Sequence, residues 1–308
     1  MGASVDLGSN SVHLLVAVVD GHQLEPLVDE SVFLGLGSAI VGRGYLGRAA
    51  RDELVAALVR YAETARGLGA TAVTFIGTEP IRRAADGAAI VAEVVAASGV
   101  PLHVLSHEEE AYLTIIGVHE GLPVTFETLV VDVGGGSSEF CVVDATLPPR
   151  AAGIQLGCAR LTDRHVSHDP PVASEIEAMR ADAVVAVRDA PESRPGEVVA
   201  VGGTASNLLK VLPAAVDETL TRDRIAEILR ILAAEPAAVA SERYVVKPTR
   251  ARILPAGAVI MDAILERYGV DRIRVSEAGI REGTILAVEH GGPSWRDRLA
   301  ELAHGWRG

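Results

Sequence analysis

Two segments of the chain share one pattern of apolar and polar positions. In each, an apolar run ends in an aspartate, a glycine turn follows, and a second apolar run leaves the turn; the segments are VDLGSNSVHLLV (5–16) and LVVDVGGGSSEFCVV (129–143). The pattern predicts two strands joined by a tight turn in which main-chain amides and small hydroxyls crowd together, an arrangement that suits phosphate. One Asp-x-Gly hairpin is an ordinary β-turn. Two of them, about 126 positions apart, indicate a duplicated domain whose paired turns face each other across a cleft, the candidate site.

The rest of the pattern predicts alternating strands and helices, in the order βββαβαβα for the first half. There we expect strands near 24–36, 73–76 and 102–105, a helix at 48–66, a helix that Asp86 caps and Gly99 ends, and a helix from Ser106 to about Gly117. In the second half we expect paired strands at 129–143, strands at 197–201 and 272–275, and helices near 174–188, 222–234, 255–268 and beyond Gly279. The sequence therefore predicts an α/β protein.

The length of the chain predicts two domains. The 308 residues exceed what a single core comfortably holds, and each half is large enough to bury a core of its own. We place the domains at 1–119 and 120–308, with polar, proline-bearing linkers at 120–128 and 190–196. The last residues, about 294–308, are expected to form an amphipathic helix that packs back across the domains.

Composition excludes several classes of function. The formal net charge of −13 argues against nucleic acid as a partner, so a polyanionic substrate would have to be held locally. Cys141 and Cys158 are too few for a disulfide scaffold and are expected to be buried free thiols in a reducing compartment. No apolar run of bilayer length and no signal peptide stand out, so we expect a cytoplasmic protein without a membrane partner.

The segment SHEEEAYL (106–113) distinguishes two neighbouring glutamates. Ser106 followed three residues later by Glu109 matches a capping box, which gives Glu109 a structural role. Glu110 is not explained in this way. It lies on the first turn of a helix that follows a strand, and such turns open onto the ligand crevice of α/β sheets. Glu110 is therefore either a functional carboxylate or a solvated acid stabilised by the helix N-terminus.

Two further strand-to-helix turns are typical of anion binding. In GTEPIRRAAD (77–86), Thr78 is expected to cap a helical turn that brings an arginine fork near amides, although spacing does not choose between Arg82 and Arg83. In GGTASN (202–207), the amides of Gly203 and Thr204 could meet a phosphate or nucleotide. Close glycine packing explains Gly203 equally well.

Six motifs, in their order and spacing, resemble the exopolyphosphatase and guanosine pentaphosphate phosphohydrolase family. They are DLGSNSVHLLV, GTEPIRRA, SHEEEAYL, VVDVGGGSSE, VGGTASNL and SEAGIREG, and the resemblance covers about Ala3 to Glu289. It implies the actin-like, sugar-kinase-like ATPase fold of two duplicated domains. It also implies removal of terminal phosphate from polyphosphate or guanosine pentaphosphate with Mg²⁺, for which Mn²⁺ is an alternative.

The resemblance also implies roles for individual residues. The catalytic glutamate is the second of the family's Glu-Glu-Ala triplet, which is Glu110 here, and the phosphate-binding arginine falls on Arg82. The implied metal ligands are Asp132, Glu139 and Asp6. Phosphate would be held by residues of the two glycine turns, namely Asn10, Ser11, Gly134, Gly135, Gly136, Ser137 and Ser138. The turn GGTASN (202–207) adds Gly203 and Thr204.

The chain departs from the family pattern at three positions. His107 replaces the usual glycine after the serine, Pro80 follows Glu79 in the arginine motif, and Ser138 stands where threonine is common. None of these removes a functional group, although Pro80 could shift the arginine turn. Longer members continue into extra helical domains, and without them we expect this chain to use short or intermediate polyphosphates with little processivity.

The function predicted on this basis is exopolyphosphatase activity. Hydrolysis of a phosphoanhydride needs a positioned water, an in-line leaving group and neutralised phosphate oxygens. Glu110 would orient or deprotonate the water, and orthophosphate would be released. The alternatives are a guanosine pentaphosphate phosphohydrolase, a kinase of the same fold in which GGTASN contacts adenosine, and a non-hydrolytic sensor of guanosine penta- or tetraphosphate. The sequence leaves open whether the protein is a homodimer.

Replacement of Glu110 by glutamine is expected to lower turnover about 10²- to 10⁴-fold while the fold survives, because that is the usual cost of removing a general base. Glu109→Gln is the matched control, since glutamine still serves a capping box and at most about 1 kcal/mol of stability is at risk. Phosphate release at saturating magnesium, together with thermal unfolding, compares the two variants. Equal loss of activity in both would contradict the assignment.

Overall fold

The computed structural model describes residues 1–41, 43–212 and 219–306. By packing, the chain divides into two compact units. Unit 1 comprises Met1–Val124 together with Ala278–Gly308, and unit 2 comprises Thr125–Glu277. The chain thus leaves unit 1 and returns to it, whereas the sequence analysis placed a single domain boundary between residues 119 and 120.

Strands and helices alternate along the described residues. The strands are β1 (Gly2–Leu7), β2 (Ser11–Asp20), β3 (Gln23–Phe33), β4 (Ala72–Gly77), β5 (Leu102–Val104), β6 (Thr128–Val133), β7 (Ser138–Val143), β8 (Arg150–Ile154), β9 (Glu197–Val201), β10 (Thr219–Thr221) and β11 (Arg272–Val275). The helices are α1 (Leu36–Ile40), α2 (Arg48–Gly67), α3 (Glu79–Arg83), α4 (Gly87–Ser98), α5 (His107–His119), α6 (Cys158–His165), α7 (Ala173–Ala186), α8 (Gly202–Val211), α9 (Arg222–Leu232), α10 (Ala237–Tyr244), α11 (Pro248–Tyr268), α12 (Ile280–Gly291) and α13 (Leu299–Leu302). Short 3₁₀ helices occupy Val187–Asp189 and Gly292–Arg298.

The two units repeat one sheet topology. In unit 1 the strand order is β3-β2-β1-β4-β5, with an antiparallel meander of three strands followed by two strands parallel to β1. In unit 2 the order β8-β7-β6-β9-β11 follows the same plan, and β10 adds an antiparallel edge beside β11. The predicted α/β class and the duplication are therefore visible in the strand pairings.

Each unit has its own apolar core. In unit 1 the core includes Val5, Leu14 and Phe75 from the sheet and Leu58 from α2. In unit 2 the long helix α11 is buried over most of its length and packs among the sheet and the helices around it. No helix among the described residues has the length and apolar character needed to cross a membrane.

Two predicted helix caps are corrected by the structure. Thr78 precedes α3, but its hydroxyl donates to the carbonyl of Leu7 at 2.9 Å instead of capping the helix. Asp86 precedes α4, but its carboxylate accepts from the amide of Leu46 at 2.9 Å. In both cases the polar side chain forms a hydrogen bond with the main chain of a residue distant in sequence. The capping box at Ser106 is confirmed, with 3.1 Å and 2.7 Å for its two hydrogen bonds.

Some elements differ from the prediction or were not predicted. Helix α11 begins at Pro248, and Pro255, the predicted start, lies inside it among buried neighbours. The sequence did not single out α1, α6, β8, β10 or α10, which are all short. The predicted C-terminal helix is instead a 3₁₀ turn followed by the four residues of α13, and its final positions, 307 and 308, lie outside the described residues.

Helices α5 and α12 of unit 1 approach each other backbone to backbone. A Cβ atom at Gly117 would lie 2.0 Å from the carbonyl oxygen of Gly279, and one at Gly283 would lie 1.7 Å from that of Leu113. Since real Cβ atoms do not come so close to backbone, only glycine permits this spacing. The contact fixes α5 against an element from the other end of the chain.

Gly283→Ala is expected to destabilise the protein by about 1–3 kcal/mol, because the added methyl group must push two packed helices apart. Gly67→Ala provides the control. It also lies in a helix, but a Cβ there meets no atom within 4 Å, so a gain of up to about 1 kcal/mol is expected. Urea unfolding measures both changes, and similar effects at the two positions would argue against the close contact.

Candidate active site

The two glycine turns close with the same hydrogen bond. The amide of Gly8 donates to the carbonyl of Ser11 at 3.1 Å, and the amide of Gly134 donates to that of Ser137 at 3.0 Å. The strand registers also match, since Asp6 lies opposite His13 and Asp132 lies opposite Glu139. The sequence repeat is therefore a structural repeat at the level of single residues.

A threonine hydroxyl just beyond the end of the neighbouring parallel strand supports each turn. Thr78 donates to the carbonyl of Leu7 at 2.9 Å, and Thr204 donates to the carbonyl of Val133 at 2.6 Å. Both carbonyls belong to the residue directly before a turn glycine. The hydroxyl of Thr204 is thus used inside unit 2, so a phosphate-binding role for this residue would rest on its main-chain amide.

In unit 2 the carbonyls of the turn cap helix α6. The carbonyl of Gly134 accepts from the amide of Cys158 at 2.9 Å, and that of Gly135 accepts from the next two amides at 2.9 and 3.1 Å. The carbonyl of Gly136 accepts from Nε of Arg160 at 2.7 Å. In a trans peptide the N–H points away from the preceding C=O. The amides of residues 135–137 are therefore directed away from α6, as an anion-binding turn requires.

Gly157 permits this arrangement. A Cβ atom there would lie 2.5 Å from the carbonyl of Gly135, so no side chain fits between the turn and the start of α6. Sequence reasoning missed Gly157 and Arg160, because nothing local in the sequence connects them to the turn.

The turn of unit 1 is held in a similar way by the start of α1 and the two residues before it. The carbonyl of Asn10 accepts from the amides of Leu34 and Gly35 at 3.1 and 2.9 Å, and the carbonyl of Ser9 accepts from Gly37 at 2.8 Å. By the same peptide geometry, the amides of Asn10 and Ser11 are directed away from that segment. These are the residues predicted to hold phosphate in the first turn.

Two carboxylates lie directly opposite each other beside the turn of unit 2. Asp132 on β6 and Glu139 on β7 are paired across the hairpin, and Glu139 is only 6% exposed. Burial raises the pKa of Asp132 to about 6, and the charge of Arg250 partly offsets this effect. The hydroxyl of Ser137 donates to Glu139 at 2.7 Å. Ser138 points elsewhere, and its hydroxyl donates to the carbonyl of Leu156 at 2.5 Å.

This donor set fits a divalent cation. Like charges directly opposite on neighbouring strands repel each other, and a cation bound by both carboxylates would relieve the repulsion. Carboxylate oxygens are the ligands that Mg²⁺ and Mn²⁺ prefer. Asp6, the third predicted ligand, occupies the equivalent position at the end of β1 in unit 1, opposite His13.

The turn between β9 and α8, at Gly202 and Gly203, contacts Asp132 as well. Gly202 has a φ of +79°, and a Cβ there would lie 2.6 Å from Oδ1 of Asp132. A Cβ on Gly203 would lie 3.0 Å from Nη2 of Arg250. Arg250, on the first turn of α11, therefore places a positive charge beside the start of α8 and beside Asp132. Sequence reasoning did not select Arg250, because only the tertiary fold brings it to this turn.

In unit 1, Glu110 is buried and paired with Arg82. Glu110 is 6% exposed on the first turn of α5, and its Oε1 accepts from Nη1 of Arg82. The same Nη1 donates to the carbonyl of Leu105 at 2.5 Å, and Nη2 lies 3.0 Å from Nδ1 of His107. The structure thus brings together the two residues predicted to be the catalytic glutamate and the phosphate-binding arginine.

Arg83 has a different partner. Its Nη1 donates to Oε1 of Glu79 at 2.7 Å, while Glu79, which is 4% exposed, also accepts from the hydroxyl of Ser9 at 3.3 Å. Successive residues of α3 therefore direct their guanidinium groups to separate carboxylates. Glu79, which sequence analysis treated only as a neighbour of Pro80, connects the arginine motif to the first glycine turn.

Glu109 has the structural role predicted from the capping box, and it also binds Arg296. Besides closing the box, its carboxylate accepts from Nε and Nη2 of Arg296 at 2.8 and 2.9 Å. Nη2 of Arg296 also donates to the carbonyl of Val104 at 3.3 Å. The first turn of α5 is therefore anchored to the 3₁₀ helix that follows α12.

Comparison with known proteins identifies the group to which this arrangement belongs. Residues 14–291 match the model of the Ppx/GppA phosphatase family. The chain belongs to this family. It is 27% identical over 300 residues to "Exopolyphosphatase 1" of Mycobacterium tuberculosis, covering 92% of this chain and 86% of the relative. It is 24% identical to the "Putative exopolyphosphatase" of Haemophilus influenzae, covering 93% and 91%.

Solved structures agree with this assignment. The Ppx/GppA family member of Aquifex aeolicus superposes with a TM-score of 0.83 at 25% identity, covering 94% of this chain and 98% of that one. An exopolyphosphatase of Cytophaga hutchinsonii shares the fold, with a TM-score of 0.79 at 21% identity and coverages of 94% and 97%. The predicted actin-like fold and the prediction that the chain is a phosphatase are thereby confirmed. The roles of single residues stay predictions.

Arg82→Ala is expected to lower kcat/KM roughly 10- to 100-fold, the usual effect of losing charge-assisted hydrogen bonds. Arg83→Ala is the matched control, because it removes the same charge from the neighbouring position and leaves the Arg82 contacts in place. Comparing kcat/KM for the two variants tests the choice. A larger loss for Arg83→Ala would mean that the motif arginine has been assigned one residue too early.

Proposed function

We propose that this Ppx/GppA phosphatase is an exopolyphosphatase that removes the terminal phosphate of inorganic polyphosphate in a metal-dependent reaction. The observation that carries the proposal is the glycine turn of unit 2. Its carbonyls are taken up by α6 and Arg160, its amides point the other way, and the opposed carboxylates of Asp132 and Glu139 lie beside it. An anion site and a cation site side by side are what a phosphate with its metal ion needs. The names of the mycobacterial and Haemophilus relatives support the same substrate.

Asp132 and Glu139, with Asp6, are the proposed ligands of Mg²⁺ or Mn²⁺. When bound, the metal would neutralise negative charge on the phosphate oxygens. The raised pKa of Asp132, about 6, means that this carboxylate becomes protonated as the pH falls below that value. Metal affinity should therefore be retained at neutral pH and decline in acid.

The phosphate oxygens are assigned to main-chain amides and guanidinium groups. The amides of Gly135, Gly136 and Ser137 would hold the phosphate in unit 2, and those of Asn10 and Ser11 are the corresponding donors in unit 1. Gly203 and Thr204 begin α8, where unpaired amides and the helix dipole favour an anion. We add Arg250 to this set, because its charge lies beside the same turn.

Glu110 is the proposed base. Its carboxylate would accept a hydrogen bond from the attacking water and take up the proton as the water oxygen bonds to phosphorus, while the terminal anhydride bond breaks and the shortened polyphosphate leaves. The ion pair with Arg82 fixes the position of this carboxylate. Arg82 would contact the phosphate as well, so that the base and the phosphorus are held in a fixed relation.

Purified protein is expected to release orthophosphate from polyphosphate with no acceptor other than water, and faster than from guanosine pentaphosphate at equal concentration. Removal of divalent metal with a chelator should abolish release, and Mg²⁺ or Mn²⁺ should restore it. Glu110→Gln serves as the background control. Faster release from the nucleotide would reverse the substrate order. Absence of release from both would refute the hydrolase and would favour a kinase, if an added acceptor restored transfer, or a nucleotide sensor.

A further inference from the structure

Two arginines bind the main chain where β5 joins α5. The carbonyl of Val104, the last residue of β5, accepts from Nη2 of Arg296 at 3.3 Å. The carbonyl of the next residue, Leu105, accepts from Nη1 of Arg82 at 2.5 Å. Because β5 is the edge strand of its sheet, a donor from outside the sheet gives it support that a second neighbouring strand would otherwise provide.

The same two arginines bind successive carboxylates on the first turn of α5. Nε and Nη2 of Arg296 donate to the two oxygens of Glu109 at 2.8 and 2.9 Å, a bidentate contact between planar groups. Nη1 of Arg82 donates to Oε1 of Glu110. Each arginine therefore connects one carbonyl of the junction to one carboxylate of the helix. Arg82 is assigned to the substrate, whereas Arg296 is not.

The residue before Arg296 packs against the same strand. Trp295 is 6% exposed, and its ring lies edge-on to that of His103 on β5, with 5.4 Å between the ring centroids. The 3₁₀ helix thus contacts β5 through a buried aromatic ring as well as through the hydrogen bond to Val104. With its backbone fixed in this way, the Arg296 side chain has less conformational freedom to lose when it binds Glu109.

We propose that Arg296 is a positioning residue, which holds the first turn of α5 so that Glu110 stays directed at the attacking water. This role rests on the proposed function, since it concerns the base of that reaction. A base depends on its distance and angle to the water, so a small shift of the turn lowers turnover. Substrate binding should change less, because Arg82 lies on α3 and the phosphate-binding amides lie in the glycine turns.

Arg296→Ala is expected to lower kcat for polyphosphate hydrolysis roughly 10- to 100-fold, with KM changed less than about threefold. Arg298→Ala is the matched control. Arg298 belongs to the same 3₁₀ helix, but its guanidinium group donates to Glu301 and to the carbonyl of His290. It should leave kcat and KM unchanged. Arg296→Lys keeps a positive charge beside Glu109 without the bidentate fork, so it should lose less kcat and guards against loss of the fold.

The Glu110→Gln background separates a positioning role from a general loss of structure. If Arg296 acts through Glu110, adding Arg296→Ala to Glu110→Gln should lower kcat little further, whereas independent effects multiply. The proposal would be overturned by unchanged kcat in Arg296→Ala or by an equal loss in Arg298→Ala. A full repeat of the Arg296→Ala loss in the Glu110→Gln background would overturn it as well.

Hydrogen exchange at the start of α5 distinguishes this proposal from the proposed function. The amides of Ser106, Glu109 and Glu110 are hydrogen-bonded within the first turn, so exchange in a peptide covering residues 104–112 reports on its order.

Arg296→Ala should speed exchange in this peptide roughly tenfold, the scale of one hydrogen bond to a charged group, and Arg298→Ala should not. If the wild type released no phosphate from polyphosphate, the proposed function would fail, while this comparison would still decide whether Arg296 holds the turn. Equal exchange in the two variants would refute the positioning role.

Discussion

Anchored peptide carbonyls are the constraint on which the candidate site depends. A turn that must present N–H groups to an anion has to place its C=O groups somewhere, because each peptide unit carries both in opposite directions. In unit 2 the turn carbonyls accept hydrogen bonds from the amides at the start of α6 and from the side chain of Arg160. In unit 1 they accept from the amides of the segment leading into α1. The threonines at positions 78 and 204 hold the carbonyl just before each turn. The outward direction of the turn amides thus follows from satisfying the backbone carbonyls.

The charged side chains around Arg82 are likewise paired with one another. The chain is strongly acidic, yet the residues around Arg82 balance one another, since neighbouring guanidinium groups meet separate buried carboxylates. In unit 2, Asp132 and Glu139 lie opposite each other, and the charge of Arg250 offsets only part of the effect of burial on the pKa of Asp132. An opposed acid pair of this kind costs stability, which the cation proposed above would offset.

Sequence alone was sufficient to predict a hydrogen bond where both partners are close together in the chain. The capping box of Ser106 and Glu109 was predicted correctly, because both of its hydrogen bonds join residues three apart. Thr78 and Asp86 have equally good capping chemistry, but Leu7 and Leu46 compete for their side chains, and no local pattern reveals that competition. Gly157 and Arg250 were missed for the same reason: their significance lies in what the fold brings next to them. The family resemblance supplied most of the remaining assignments.

The contact between α5 and α12 has a consequence for how the protein is made. Unit 1 is discontinuous, since α12 follows the whole of unit 2 in the chain. During synthesis from the N-terminus, the helix that carries Glu110 must therefore wait for its glycine-lined partner until unit 2 has been translated. The last part of unit 1 to be completed is the part that supports its buried carboxylate, so a truncated or still nascent chain has the sequence of the site without the packing that organises it.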